Sequence, residues 1–404
     1  MSALLGSAIT LGTAPAAAGS DLGGWFHTLS PFLVEFSPGV GLRWYGLAYA
    51  AAFVWGWLYL RWAAKRGVSL IPADRVGDAI LWIILGVVVG GRLGYVLFYE
   101  VSLLWSFSDS LPFWGVLAIN KGGMASHGGM IGVILAAWRI SRGWKPFEAD
   151  ARESDANARS NVAGDARPHR VGRCPMLHVL DVLASCAPIG LLFGRLANFV
   201  NGELLGRIVA MPGQRAPWWA VRYPQEVTSG HDAPRTDEQV RALDEVIAAY
   251  ARDGDSVADA WDRVLHAIHR GDDGLVERLE PLISARAPSQ LVQAFCEGVV
   301  LAVVLWAVAR VPRKPGVIGC WFLIAYGFMR IGTEFVRLPD DHLADPRIMG
   351  ITRGQWLSAL MIAAGIGFLF WVSRRSVERL GGWARPKPMS GGPDGRGTSE
   401  KPAA

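Results

Sequence analysis

The stretch from Asp78 to Tyr99, DAILWIILGVVVGGRLGYVLFY, decides the class of the molecule. It is apolar but for its first residue and Arg92, and a helix of this length rises far enough, at about 1.5 Å per residue, to cross the roughly 30 Å hydrocarbon layer of a bilayer. Six further apolar blocks repeat the pattern: Trp44 to Trp62, Gly123 to Ile140, Leu177 to Val200, Leu291 to Val311, Val317 to Val336 and Gln355 to Val372. The composition agrees, with 51% hydrophobic residues, 18 Trp and 19% charged residues in 404, against about 25% charged in a soluble domain. The expected fold is all-α, a polytopic integral membrane protein of about seven transmembrane helices. The third block is short and rich in glycine, and reads as a broken or re-entrant segment. Such backbone survives at membrane depth only where it lines a cavity or is buried in protein.

Basic residues set the direction of the spans. Arg61, Lys65 and Arg66 follow the first block, and Arg139, Arg142 and Lys145 the third. Arg310, Arg313 and Lys314 follow the fifth, and Arg374, Arg375 and Arg379 the seventh. The intervening short loops hold few, chiefly Lys121, Arg347 and Arg353. By the positive-inside rule the N-terminus is outside and the C-terminus cytoplasmic. The net charge of +5 therefore belongs to topology, and no nucleic acid is expected as a partner.

Around this core, 36–375, lie four other segments. Residues 1–35 read as a flexible N-terminal segment, since no Lys or Arg precedes its small apolar residues as a cleaved signal peptide requires. Residues 149–173 form a charged cytoplasmic loop insertion, and 376–404 a disordered cytoplasmic tail rich in Gly, Pro and Ser. Residues 206–287 form a small extracytoplasmic head domain. Within it Val240, Leu243, Val246 and Ile247, then Val264, Leu265 and Ile268, fall at helical spacing and predict about two or three short helices. Cys174, Cys186, Cys296 and Cys320 show neither disulfide nor metal spacing.

An ionisable residue inside an apolar block costs about 2.5–3.5 kcal/mol on insertion scales, so each needs a reason. The chain has Arg92, His127, Asp181, Arg195, Glu203, Glu297, Arg330 and Glu334 at such positions, with Asn198, Asn201 and Gln290 at similar depth. Three arginines with a histidine and several amides describe a polar cavity that accepts an anion. Each also has a plainer reading. Arg330 and Glu334 are one helical turn apart and can neutralise each other; Arg92, near the end of its block, can snorkel to the headgroups. Asp181 and Glu297 fit structural partners. His127 sits in GGMASHGG, where glycines let backbone or ligand approach closely. There is no H-E-x-x-H, P-loop or G-x-S-x-G motif, so no metal and no cofactor is expected.

The segment GRLANFVNGE, from Gly194 to Glu203, closely resembles the signature of the prolipoprotein diacylglyceryl transferase family, which continues with Gly at the position of Gly206. Arg43-Trp44-Tyr45-Gly46-Leu47 resembles that family's first-helix entry, and Gly90 to Tyr99 its second-helix end. Gly122 to Gly129, with His127, resembles its histidine motif, and Pro288-Ser289-Gln290-Leu291 its P-S-Q-L segment. Tyr326-Gly327, Arg330, Glu334 and Arg337-Leu338-Pro339-Asp340 follow its last pattern. The chain departs from the family at Ala287, where His is usual, at Val292 and Gln293, where Tyr-Glu is usual, and at Ser126, where an aromatic residue is usual.

The resemblance implies a transferase of the bacterial cytoplasmic (inner) membrane, acting in the first step of lipoprotein maturation. It implies phosphatidylglycerol as donor, the lipobox cysteine of a prolipoprotein as acceptor, and membrane lipids as surroundings. On this basis His127, Arg195 and Arg330 are the expected catalytic residues, with Arg195 and Arg330 on the lipid phosphate. Tyr45, Arg92, Asn198, Asn201, Glu203, Tyr326 and Glu334 are expected to shape the site or hold the headgroup. Two other readings stay open from the residues alone: a catalytically altered paralogue that binds lipid or lipoprotein, and an anion transporter. Against the transporter, the blocks show no inverted repeat.

Overall fold

A computed structural model describes residues 22–37, 40–109, 112–118, 122–145, 170–338 and 351–384. Most of the 149–173 insertion, the tail from 385 on, residues 1–21 and the Pro339–Asp340 pair lie outside the described residues. The chain is mostly helical. In order come β1 (Trp25–Phe26), β2 (Phe32–Ser37), β3 (Val40–Arg43), α1 (Trp44–Lys65), α2 (Val76–Phe98), α3 (Ser126–Ser141) and α4 (Met176–Asn201). A polar unit follows with β4 (Ile208–Ala210), β5 (Val221–Arg222), α5 (Asp237–Tyr250), α6 (Val257–His269), α7 (Asp273–Leu279) and β6 (Ala285–Arg286). Then come α8 (Ser289–Val308), α9 (Val317–Glu334) and α10 (Arg353–Arg374).

Among the described residues, four helical segments are long and apolar enough to cross a membrane: Ala73–Phe98, Met176–Asn201, Ser289–Val308 and Gly354–Arg374. The other three apolar blocks are helical too, but fall short for identifiable reasons. In α1 the many Trp and Tyr dilute the hydropathy, α3 has only 16 residues, and α9 carries Arg330 and Glu334 in its last turns. The protein is a multi-pass membrane protein.

The third block is not broken. It forms the unbroken helix α3, and its glycines serve helix packing. Gly86, Gly90 and Gly94 on α2 face Gly128 and Gly132 on α3 so closely that a Cβ on Gly132 would stand 1.8 Å from the Gly86 carbonyl oxygen. Small residues at four-residue spacing are what lets two helix backbones touch. α1 and α4 form a second packed pair, and α9 and α10 a third. Asp181 of α4 is explained by the N-terminus of α9: its carboxylate accepts from the backbone N–H groups of Gly316 and Gly319, both at 2.7 Å. A helix start leaves such groups unpaired, and an acceptor from a neighbouring helix satisfies them.

The all-α expectation needs correction at one end of the bundle. A small sheet, ordered β1-β5-β6-β4, joins the segment ahead of α1 to the unit between α4 and α8, with β1 parallel to β5. The segment 1–35, expected to be flexible, thus contributes β1 and most of β2. Of the unit's three helices, α5 and α6 carry the residues at helical spacing, and α7 is a third beyond them. Thr236 with Gln239 and Ser256 with Asp259 form complete capping boxes at α5 and α6. Their apolar faces close over Trp261, which is fully buried with Val264, Ile268, Leu279 and Ile283. At the opposite end of the bundle, residues 375–384 fold back: Leu380 pairs with Arg313, and the Trp383 indole donates to the Trp306 carbonyl at 2.8 Å.

Candidate active site

The signature lies on the last turns of α4 and the turn that ends it. Gly202 (φ +66°) and Leu204 (φ +57°) are both left-handed, so the backbone reverses on either side of Glu203. Glycine accepts this conformation freely, whereas leucine is strained by about 1–3 kcal/mol. The turn is closed by Gly202 N–H to the Phe199 carbonyl and Glu203 N–H to the Asn198 carbonyl, both at 3.0 Å. As a result the Glu203 carboxylate points back along α4 and meets the start of α1. The Tyr45 hydroxyl donates to its Oε2 at 2.8 Å, Asn201 Nδ2 donates to Oε1 at 3.3 Å, and Asn198 Nδ2 donates to the Tyr45 hydroxyl.

Two turns earlier on α4, Arg195 directs Nε and Nη2 to Glu297 Oε2 of α8, each at 3.0 Å. Glu297 is fully buried and sits in the π-helical part of α8, Ala294–Val300. Such an inserted turn re-aims side chains relative to a regular α-helix. Tyr326 of α9 lies with its hydroxyl beside Arg195 and within electrostatic reach of Arg330. One turn on, Arg330 Nη1 donates to Glu334 Oε2 at 2.6 Å, and the Thr352 hydroxyl donates to Glu334 Oε1 at 3.2 Å. The expected neutralising pair is present. Both arginines keep part of their side chains exposed, 19% for Arg195 and 16% for Arg330.

Beside this cluster opens a cavity of about 610 Å³. It lies between the α1–α4 pair and the α2–α3 pair, which pack less closely on each other than within themselves. Its walls are apolar or small: Ala48, Ala52 and Gly56 on α1 face Ala187, Gly190 and Gly194 on α4, with Ile83, Val87 and Val133 opposite. Tyr45, Arg195 and Asn198 also line it. The cavity is therefore an apolar slot with a polar end that carries Arg195. From Tyr45 to Leu60, which also lines it, the helical rise is about 22 Å, longer than one leaflet's share of the hydrocarbon layer, about 15 Å.

Two expected site residues stand apart from the cluster. Arg92 is buried and does not snorkel. It donates to the carbonyls of Gly115, Val116 and Gly122 at 2.7 Å and of Gly123 at 2.9 Å, holding together the connection between α2 and α3. His127 is exposed in the first turn of α3 and makes no hydrogen bond among the described residues, while its neighbour Ser126 lines the cavity. Among the described residues no group of His, Cys, Asp and Glu is placed to hold a metal ion.

One residue packed on the signature, His27, carried no signal in the sequence. His27 is fully buried between Phe199 and Gln225: its Nε2 meets the Phe199 carbonyl at 2.8 Å and its Nδ1 the Gln225 amide at 3.3 Å. Burial pushes its pKa down to about 4, so the ring is neutral, donating from Nε2 and accepting at Nδ1. Ala287 works through its backbone, with its N–H on the Arg207 carbonyl at 3.0 Å. Its carbonyl oxygen would stand 2.0 Å from a Cβ at Gly206, which explains the glycine there.

The model of the prolipoprotein diacylglyceryl transferase family matches residues 31–151 and 165–371. A phosphatidylglycerol–prolipoprotein diacylglyceryl transferase of Bdellovibrio bacteriovorus is 35% identical over 374 residues, covering 89% of this chain and 97% of the relative. Proteins of the same name from Paraburkholderia phymatum and Neisseria gonorrhoeae are 33% and 32% identical, covering 86% and 85% of this chain and 94% and 96% of theirs. The chain belongs to the prolipoprotein diacylglyceryl transferase family.

Proposed function

We propose that this chain transfers the diacylglyceryl group of phosphatidylglycerol to the lipobox cysteine thiol of prolipoproteins in the bacterial inner membrane. The observation that carries the reading is the apolar slot that ends at Tyr45, Arg195 and Asn198. A lipid donor needs both parts, a dry channel for an acyl chain and a charged mouth for its phosphate. In this reading α1, α2, α3, α4, α8, α9 and α10 are seven spans, the N-terminus is outside, and the unit between α4 and α8 is the extracytoplasmic head. The signature then lies at the outer end of the bundle, where a prolipoprotein presents its cysteine.

The reaction is a displacement at carbon. The cysteine sulfur attacks the glyceryl carbon that carries the phosphate ester, a C–S bond forms and the C–O bond breaks. The ester oxygen takes the electron pair, and glycerol phosphate leaves. Negative charge grows on the phosphate, and Arg195 and Arg330 neutralise it through charge-assisted hydrogen bonds. Glu297 and Glu334 hold the two guanidinium groups in position, while Tyr45, Asn198, Asn201 and Glu203 orient the glycerol headgroup by their hydrogen-bonded ring. The thiol must first lose its proton. His127, exposed beside the cavity-lining Ser126, is the base of choice. If His127→Asn slows transfer but keeps the ascending limb of the pH–rate profile, the histidine positions the lipid instead.

The test is direct. Purified protein in phosphatidylglycerol-containing detergent is mixed with a lipobox peptide and followed by mass spectrometry. The expected product carries the mass of a thioether-linked diacylglyceryl group. An unmodified peptide in the presence of folded protein overturns the proposal.

A further inference from the structure

The proposed reaction asks Glu203 to face Tyr45 and the cavity mouth, and its backbone does so only through a turn that leucine resists. Leu204 is the one non-glycine residue with positive φ among those described. Left alone, a leucine there relaxes to a right-handed or extended conformation and swings the preceding peptide with it. Something must hold the turn.

Three buried side chains outside the signature do so. The Ser289 hydroxyl donates to the Leu204 carbonyl at 2.7 Å, and Gln290 Nε2 donates to the Glu203 carbonyl. These are the two successive carbonyls that move if Leu204 changes conformation. Gln290 is itself held, because the Tyr223 hydroxyl donates to its Oε1 at 3.1 Å. Ser289 is 1% exposed and Gln290 and Tyr223 are 0% exposed, so water does not compete for these bonds. Their bonds go to the backbone of the turn and to one another, whereas the ring is closed by the side chains of Tyr45, Asn198 and Glu203. The chain beyond the turn is gripped from the other side, by Leu338 N–H on the Leu205 carbonyl at 3.2 Å and Arg207 N–H on the Val336 carbonyl at 3.0 Å.

We infer that Ser289, Gln290 and Tyr223 are positioning residues for the transfer, locking the left-handed turn at Leu204 so that the Glu203 carboxylate stays aimed at Tyr45 and the cavity mouth. The inference rests on the reading of Glu203 as part of the substrate site. It assigns to the Pro288–Leu291 segment a mechanical task, and it makes the head sheet, through Tyr223 beside β5, a support of the membrane site.

The experiment uses the full chain in phosphatidylglycerol-containing detergent with a lipobox peptide. Gln290→Leu and Ser289→Ala are each expected to lower kcat by about ten- to a hundredfold per folded molecule, as misaiming by about an ångström does, with KM for the lipid little changed. Adding Leu204→Gly to either variant removes the strain, because glycine holds a positive φ freely, and is expected to return about tenfold or more of the lost rate. A merely structural role would lower folded yield without this rescue. Unchanged kcat in the folded single variants, or no recovery with Leu204→Gly, overturns the inference while normal wild-type turnover leaves the transferase reading intact. A wild-type chain that forms no product overturns both.

Discussion

Two regions of this molecule bury charge, and they do it in opposite ways. In the unit between α4 and α8, Glu226 is fully buried and saturated. Its carboxylate accepts from Ser284 N–H at 2.9 Å, the Ser284 hydroxyl, Arg286 Nε at 2.8 Å and Arg235 Nη2 at 3.1 Å. At the head of the slot Arg195 meets Glu297, and on α9 Arg330 meets Glu334, yet both arginines stay partly exposed. A buried ion with every valence filled has nothing left to offer a ligand, and removing one partner strands the others. An ion held in place but still reachable can bind a phosphate. Charge type is the same in both regions, and access separates glue from site.

The sharpest way to break this comparison is Arg195→Ala. It is expected to reduce transfer to background, a loss of at least about a hundredfold, while the protein still elutes as a folded species. Near-normal transfer would remove the phosphate role. Next in size, Glu226→Ala is expected to destabilise the protein by about 3–5 kcal/mol, the consequence of stranding the buried Arg286, while Arg235 keeps its pair with Asp232. Thermal unfolding would fall sharply while kcat of the remaining folded enzyme changes little, and the reverse pattern would place Glu226 in the site.

A smaller effect concerns pH. His27 is neutral in the fold with a pKa near 4, below its ordinary 6.5, so the unfolded chain binds a proton first as pH falls. Its contribution to stability is present above pH 6.5 and is lost progressively toward pH 4. Melting temperature should decline across that window, and His27→Gln should flatten the decline. An unaltered slope in that variant would assign the acid sensitivity elsewhere, with His269, also pushed down to about 4 by burial, as the alternative. Smallest is Gly190→Leu, which fills the middle of the slot. A Cβ there already stands 3.6 Å from that of Ala52. Transfer from phosphatidylglycerol with long acyl chains should fall several-fold relative to short-chain donors, and an unchanged chain profile would mean that the slot does not hold the acyl chain.

Much of the fold was legible because it rests on local rules. Apolar length marks a helix able to cross a bilayer, and apolar residues at helical spacing mark α5 and α6. The cluster of Arg195, Asn198, Asn201 and Glu203 was legible for a related reason, since polar groups at membrane depth are expensive enough to announce themselves. Glycine in the third block was misleading, because the same residue serves a break or a close helix contact, and only the facing glycines of α2 decide which. Arg92 misled similarly: its partners are backbone carbonyls of a loop, which no side-chain pattern encodes.

What the sequence by itself determined is therefore the membrane class, the helices and the residues that carry the signature. Each of these is set by composition and spacing within about one helix length. Only the tertiary structure decided which charges are spent on one another. It paired Arg195 with Glu297 across two helices, tied β1 to β5, and brought Ser289 and Gln290 onto the turn at Leu204. Such contacts depend on where distant segments come to rest, and the energy that separates a sealed ion pair from a reachable one lies in the surrounding packing.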